Sequence, residues 1–224
     1  MSKAFSASIE SITTKFKEVI NMTTIEKPEA MDLIFIMDRS GSMSGSESDT
    51  IGGFNSFIKK EMEKDLETYV TTILFDHEYE VLYKRKPIHD VAELTDKEYW
   101  VRGSTALLDA IGKTINTLDK EIDNNALVVI MTDGYENASH EYSKQQIRNL
   151  IENHKWEFIY IGADIDSYSE AANFGFKRSR IANYKKSRES IDDMYASVSN
   201  ARDCMLNKIS LDDARWKKDM RKYD

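Results

Sequence analysis

Asp38, Ser40 and Ser42 form the pattern D-x-S-x-S directly after the apolar run LIFIM at 33–37. Thr105 follows Gly103-Ser104 and opens an amphipathic pattern, and Asp133 follows the apolar run LVVIM at 127–131 and Thr132. Carboxylate and hydroxyl oxygens with no cysteine or histidine beside them are the donor set of a hard divalent cation. Mg²⁺ is the expected ion, with Mn²⁺ or Ca²⁺ as substitutes. Gly41 is read as the residue that lets the first loop turn tightly enough for both serines to face inward.

These residues can meet only if the elements that carry them end on one edge. LIFIM, LVVIM and FIYIG at 158–162 are strand-length apolar runs without period-2 alternation, which suits parallel strands covered on both faces. YVTTILF at 69–75 is a fourth strand, and EYEVLYKRKPI after Asp76-His77-Glu78 turns back as an antiparallel hairpin partner. Helical patterns lie between them. Ile51, Phe54, Ile58 and Met62 step by three and four, as do Leu107, Leu108, Ile111, Ile115, Leu118 and Ile122. Ser143 with Gln146 forms a capping box, Asp166 caps a short helix that Gly175 stops, and Ser210 with Asp213 suggests a last short helix. Strands alternating with helices predict an α/β sheet, whose ligands gather at the carboxyl ends of the strands. Asp38, Ser40, Ser42, Thr105 and Asp133 would then share that edge.

DRSGS, the threonine of GSTALLDAI and the aspartate of MTDG resemble, in order and context, the metal-ion-dependent adhesion site (MIDAS) of the von Willebrand factor A (vWA) domain. The resemblance covers roughly residues 30 to 184 and points to an intracellular bacterial or phage type. It implies a Rossmann-like domain with a mostly parallel central sheet, one antiparallel edge strand and helices on both faces. It also implies that Ser40 and Ser42 ligate the metal directly, that Asp38 and Asp133 hold it chiefly through water, and that Thr105 does either. Mg²⁺ takes near-octahedral oxygen at about 2.0–2.1 Å and keeps some water. Neutral hydroxyls leave its charge largely uncancelled, so a carboxylate from a partner protein could complete the sphere.

Other residues are candidates for supporting roles. Asp109, one helical turn after Thr105, could orient the threonine loop or simply face the helix dipole. Asp76 and His77 could shape the rim or form an ordinary hairpin turn, the simpler reading. Tyr135, Glu136 and Asn137 are rim candidates on the same terms. Lys177, Arg178, Arg180, Lys185, Lys186 and Arg188 form a basic run with no acid between 177 and 188, interleaved with Ile181 and Tyr184. Such a run could touch RNA, but a solvated edge is the expectation.

The bulk properties bound the function. The 224 residues, 41% apolar, are enough for one good-sized domain with appendages. The net charge of -8 disfavours global attraction to nucleic acid or an anionic membrane. No apolar run is long enough to span a bilayer, and MSKAFSASIESITTKFKEVI lacks the core of a signal peptide. Cys204 is the sole cysteine, which excludes an intrachain disulfide and suits a reducing cytoplasm. The expected organisation is an N-terminal helical extension over 1–29 with an apolar stripe from Phe5 to Val19, a vWA domain over 30–184, and a C-terminal helical extension over 185–224 carrying Ile191, Met194, Val198, Ala201 and Met205. The expected function is a non-enzymatic, metal-dependent adaptor. A phosphohydrolase is the main alternative, since Mg²⁺ and aspartates also serve phosphoryl transfer. Against it, the second acid of a haloacid-dehalogenase motif is here Ser40, no P-loop is present, and the four histidines are scattered. The third alternative, an RNA-associated role, lacks the separate helical RNA-binding domain of such relatives.

Overall fold

A run such as LIFIM has no polar side to turn to water, so both of its faces must be covered. In the computed structural model, which describes residues 30–224 except 65, 123, 124, 164 and 165, this is achieved by a six-stranded sheet with helices on both faces. The strands are β1 (Met31–Asp38), β2 (Thr68–Phe75), β3 (Tyr79–Pro87), β4 (Ala126–Thr132), β5 (Glu157–Ala163) and β6 (Ile181–Tyr184). Their order is β3-β2-β1-β4-β5-β6. Every pairing is parallel except β2 with β3, so the antiparallel strand lies at one edge as expected. The pairing of β2 with β3 is interrupted by register shifts between Val70 and Ile73.

The helices are α1 (Glu47–Met62), α2 (Leu107–Leu118), α3 (Lys144–Asn153), α4 (Ser167–Asn173) and α5 (Arg188–Leu206). Alternate residues of each strand feed opposite cores. Leu33, Phe35, Met37, Val129 and Ile159 pack against Phe54, Phe57 and Ile58 of α1 and Ile191, Met194 and Val198 of α5. Ile34, Ile36, Val128, Ile130 and Tyr160 pack against Leu107, Leu108, Ile111 and Ile115 of α2 and Ile147 of α3. Each such side chain contributes roughly 1.5–3 kcal/mol by leaving water. Phe35 meets Phe54 and Phe57 edge-on at 5.5 and 5.4 Å, which fixes α1 on the sheet. Beneath α5, Arg202 pairs with Glu61 of α1 at 2.5 Å and donates to Thr68 Oγ1 at 3.1 Å, all three buried.

Local signals explain most boundaries. The Ser143–Gln146 capping box forms at the start of α3, Asp166 accepts from the Ser169 amide at 3.0 Å, and Gly175 stops the chain after α4 with φ of +90°. Three details differ from the sequence expectation. The apolar stripe expected to reach Ile122 remains helical only to Leu118, although Ile122 stays buried. Ser210 accepts from Asp212 rather than completing a box with Asp213, and the turn it starts is a short 3₁₀ helix. β6 was not anticipated at all. Beyond α5 the chain returns to β6: Trp216 is buried with Nε1 donating to Ser179 O, and the Lys217 ammonium donates to the carbonyls of Arg178 and Ile181. The expected helix over Phe5 to Val19 lies outside the described residues.

Candidate metal-binding site

β1 and β4 are hydrogen-bonded neighbours, so Asp38 and Asp133 leave the sheet side by side. The Asp38 carboxylate is buried and fully engaged: Oδ1 accepts from the Ser40 amide and Oδ2 from Thr132 Oγ1, each at 2.6 Å. Burial pushes its pKa up to about 6 against the pull of these hydrogen bonds, and the neighbouring Asp133 charge adds to the rise. Ser40 Oγ lies 3.0 Å from Ser42 Oγ, and Ser42 Oγ donates to Asp133 Oδ1 at 2.6 Å. Thr105 joins through Gly134. A methyl group at 134 would stand 2.8 Å from Thr105 Oγ1 and 3.2 Å from Ser42 Oγ, so both hydroxyls converge on a backbone that only glycine allows there. All five residues expected from the sequence are therefore brought together.

The loops carrying them are tied by one buried acid. Asp76, fully buried after β2, accepts from Arg39 Nε at 3.0 Å, Arg102 Nε at 2.9 Å and the Glu78 amide at 2.7 Å. Its backbone carbonyl accepts from the Ala106 amide at 2.8 Å. Burial raises the Asp76 carboxyl, but the Glu78 amide and the two guanidiniums outweigh it and hold it below the usual carboxylate range. Asp76 thus links the serine loop, the hairpin and the threonine loop, a larger role than the ordinary hairpin turn expected. Gly103 has φ of +65° and packs so closely on His77 that a Cβ would collide with the ring. Gly41 donates to Gly103 O at 3.1 Å, and a Cβ there would lie 3.3 Å from that oxygen. Its φ is not positive, so close approach of the two loops, rather than a left-handed turn, is what position 41 accommodates.

The segment after Asp133 fastens the start of α2. Thr105 donates its amide to Asn137 Oδ1 at 2.9 Å and accepts from the Asn137 and Ala138 amides. Glu136 Oε2 accepts from the Leu108 amide at 3.0 Å, placing a negative charge on the first turn of α2. Asp109 accepts from the amides of His140, Glu141 and Tyr142, each at 2.9 Å. It therefore holds the loop after Asp133 and not the threonine loop. Tyr135 is exposed at the rim, and its hydroxyl accepts from the Asp166 amide at 3.3 Å. Thr132 and Arg102 were missed as site residues in the sequence, whereas Glu136 was a rim candidate whose tie to the Leu108 amide was not foreseen. Their partners lie far along the chain, so no local spacing announces them.

The basic run is not a uniform solvated edge. Lys177 and Arg180 pair with Asp212, and Arg180 also with Glu157. Lys186, between β6 and α5, places Nζ 2.5 Å from Asp133 Oδ2 and donates to Ser42 O at 2.7 Å. Nothing in the sequence distinguished it from its neighbours.

Among the described residues no three His, Cys, Asp or Glu side chains cluster so as to hold a metal ion. A cation here would depend on hydroxyls as much as on the two carboxylates. The donor set fits that role: oxygen only, held by surrounding hydrogen bonds, with the buried Asp133 Oδ2 faced by the Lys186 ammonium alone among the described residues.

Comparison with solved structures finds the same fold at low identity. The PilB minor pilin of Streptococcus sanguinis, as its D319A mutant, matches with a TM-score of 0.62 and 12% identity, covering 83% of this chain and 63% of that one. Proximal thread matrix protein 1 from the mussel byssus matches with a TM-score of 0.57 and 16% identity, covering 79% and 46%. A von Willebrand factor type A protein from Catenulispora acidiphila matches with a TM-score of 0.57 and 13% identity, covering 80% and 42%. The chain thus aligns with less than half the length of two of these structures. A comparison with curated proteins gave no match. The family model for the von Willebrand factor type A domain matches residues 32–197, from the second residue of β1 well into α5. The chain belongs to the von Willebrand factor type A domain family.

Proposed function

We propose that this protein is a non-enzymatic, metal-dependent adaptor of the cytoplasm, which holds Mg²⁺ among Asp38, Ser40, Ser42, Thr105 and Asp133 and binds a carboxylate of a partner protein through it. Domains of this family commonly mediate protein–protein interaction and often bind a divalent metal at this site. The observation that carries the reading is the continuous oxygen network from Ser40 through Ser42 to Asp133, with Thr105 against the same glycine. In this reading residues 30–184 are the domain, and 1–29 and 185–224 are its extensions.

The phosphohydrolase reading has less support. Its nucleophile would be Asp38, whose two oxygens are both occupied by hydrogen bonds in a buried setting. No helix among the described residues is long and apolar enough to cross a membrane.

The test is a pull-down from native-source lysate in Mg²⁺ and in EDTA, with Ser40→Ala alongside. A protein retained only by the wild type in Mg²⁺ supports the metal bridge. Retention in all three conditions contradicts it and moves attention to the terminal helices.

A further inference from the structure

Lys186 reaches the centre of the site from outside the motif. Its ammonium lies 2.5 Å from Asp133 Oδ2 and donates to the backbone carbonyl of Ser42, so it spans the two loops that carry the serines and the second aspartate. Asp133 Oδ1 is taken by Ser42, and the other, buried oxygen has the Lys186 ammonium as its partner among the described residues. A buried carboxylate without a counter-charge is strongly disfavoured, and Lys186 supplies that charge.

The backbone around Lys186 is fixed by the cap of α5, while its side chain is only partly buried. Ser187 Oγ caps α5 by accepting from the Ser190 amide, the Lys185 amide donates to Ser190 Oγ at 2.8 Å, and the Ser187 amide donates to Lys185 O at 2.7 Å. The lysine side chain remains 27% exposed, beside the exposed Lys185 and Arg188. Four methylene groups let its ammonium swing to water without disturbing α5. The nearby guanidiniums of Arg39 and Arg102 are committed to Asp76, so the charge at Asp133 is that of Lys186.

Resting on the reading of this site as a divalent-cation site, we infer that Lys186 is a built-in competitor for it: the ammonium neutralises Asp133 when no dication is bound and withdraws when one binds. A dication and an ammonium at the same carboxylate oxygen repel one another, so the two states exclude each other. The measured affinity for the ion is then its intrinsic affinity scaled by the fraction of molecules with Lys186 withdrawn.

The test is calorimetric titration of the full chain with Mn²⁺ and Mg²⁺, comparing wild type, Lys186→Met and Lys186→Arg, with circular dichroism to check folding. If Lys186 occupies the site in about 90–99% of molecules, Lys186→Met binds Mn²⁺ about 10- to 100-fold more tightly. In EDTA the same variant melts below the wild type, because Asp133 has lost its counter-charge. Lys186→Arg keeps the charge and stays close to the wild-type affinity. Binding by Lys186→Met alone also supports the inference. Equal Mn²⁺ affinity in wild type and Lys186→Met overturns it while leaving the cation site standing. Absence of binding in all three folded proteins overturns both.

Discussion

Asp76 and Arg102 stand 26 positions apart and meet at 2.9 Å between Oδ2 and Nε, and the same oxygen accepts from Arg39 at 3.0 Å. Arg39 belongs to the serine loop and Arg102 to the segment leading to Thr105, so a single carboxylate sets the spacing between two groups of candidate ligands.

Replacing Asp76 by Ala leaves Arg39, itself buried, with only the half-exposed Glu80 as a charge partner among the described residues. We expect a loss of about 3 kcal/mol in stability, from the breaking of a buried pair. Urea denaturation measures it. A change within experimental scatter would mean that the backbone ties from Gly41 to Gly103 and from Ala106 to Asp76 suffice without the charges.

Addition of Mg²⁺ should raise the melting temperature, because an ion that binds only the folded chain stabilises it by mass action. At a concentration 100 times the dissociation constant the gain is about 2.7 kcal/mol, or roughly 5–10 °C for a chain of this size. EDTA should reverse it, and Ser40→Ala should abolish it. The same rise in that variant would exclude Ser40 as a ligand.

The Glu61–Arg202 pair predicts an asymmetry between single and double changes. Arg202→Ala should destabilise by about 3–5 kcal/mol, since Glu61 stays buried beside Lys64 as its remaining cation. Glu61→Leu with Arg202→Met should unfold much closer to wild type, because shape is kept and no charge is stranded. Additive effects of the two single changes would rule out coupling between them.

Asp212 makes acid sensitivity local. Hydrogen bonds from Lys177 and Arg180 lower its pKa to about 2 from the usual 3.8. A depressed carboxylate contributes stability above its unfolded value and loses it as pH falls through its folded value. The melting temperatures of wild type and Asp212→Asn should therefore differ at pH 5 and converge as the pH approaches 2. The gap is small, because Asp212 is more than a third exposed and water screens its partners. Parallel curves across this range would show that the pair is formed in neither state.

The sequence made the sheet legible wherever burial is two-sided. LIFIM, LVVIM and FIYIG have no polar alternation, and each became an interior strand. β6 escaped notice because its four residues sit inside a basic run and are buried by neighbours from α5 and the last segment of the chain. The five candidate oxygen donors were legible because each follows a strand or opens a helix at a fixed offset. Asp76 was a candidate for the rim only, and its linking role, like the place of Lys186, was not legible, since what distinguishes them is their partners. Arg39 and Arg102 come from separate loops, and Asp133 stands more than fifty residues before Lys186. Chain folding, and no local pattern, brings those charges together.

The two outer strands of the sheet are guarded against self-association by different means. β3 carries Lys84, Arg85 and Lys86, places Arg85 in a left-handed conformation at φ of 43°, and pairs with β2 through register shifts. Such a charged, irregular border is a poor template for another chain. β6 relies instead on the returning segment, in which Lys217 takes up strand and loop carbonyls and Trp216 covers the adjoining surface. Removing the chain from Ile209 onward would bare a short apolar strand with open carbonyls, and the truncated protein should form sheet-rich aggregates at concentrations where the full chain stays monodisperse.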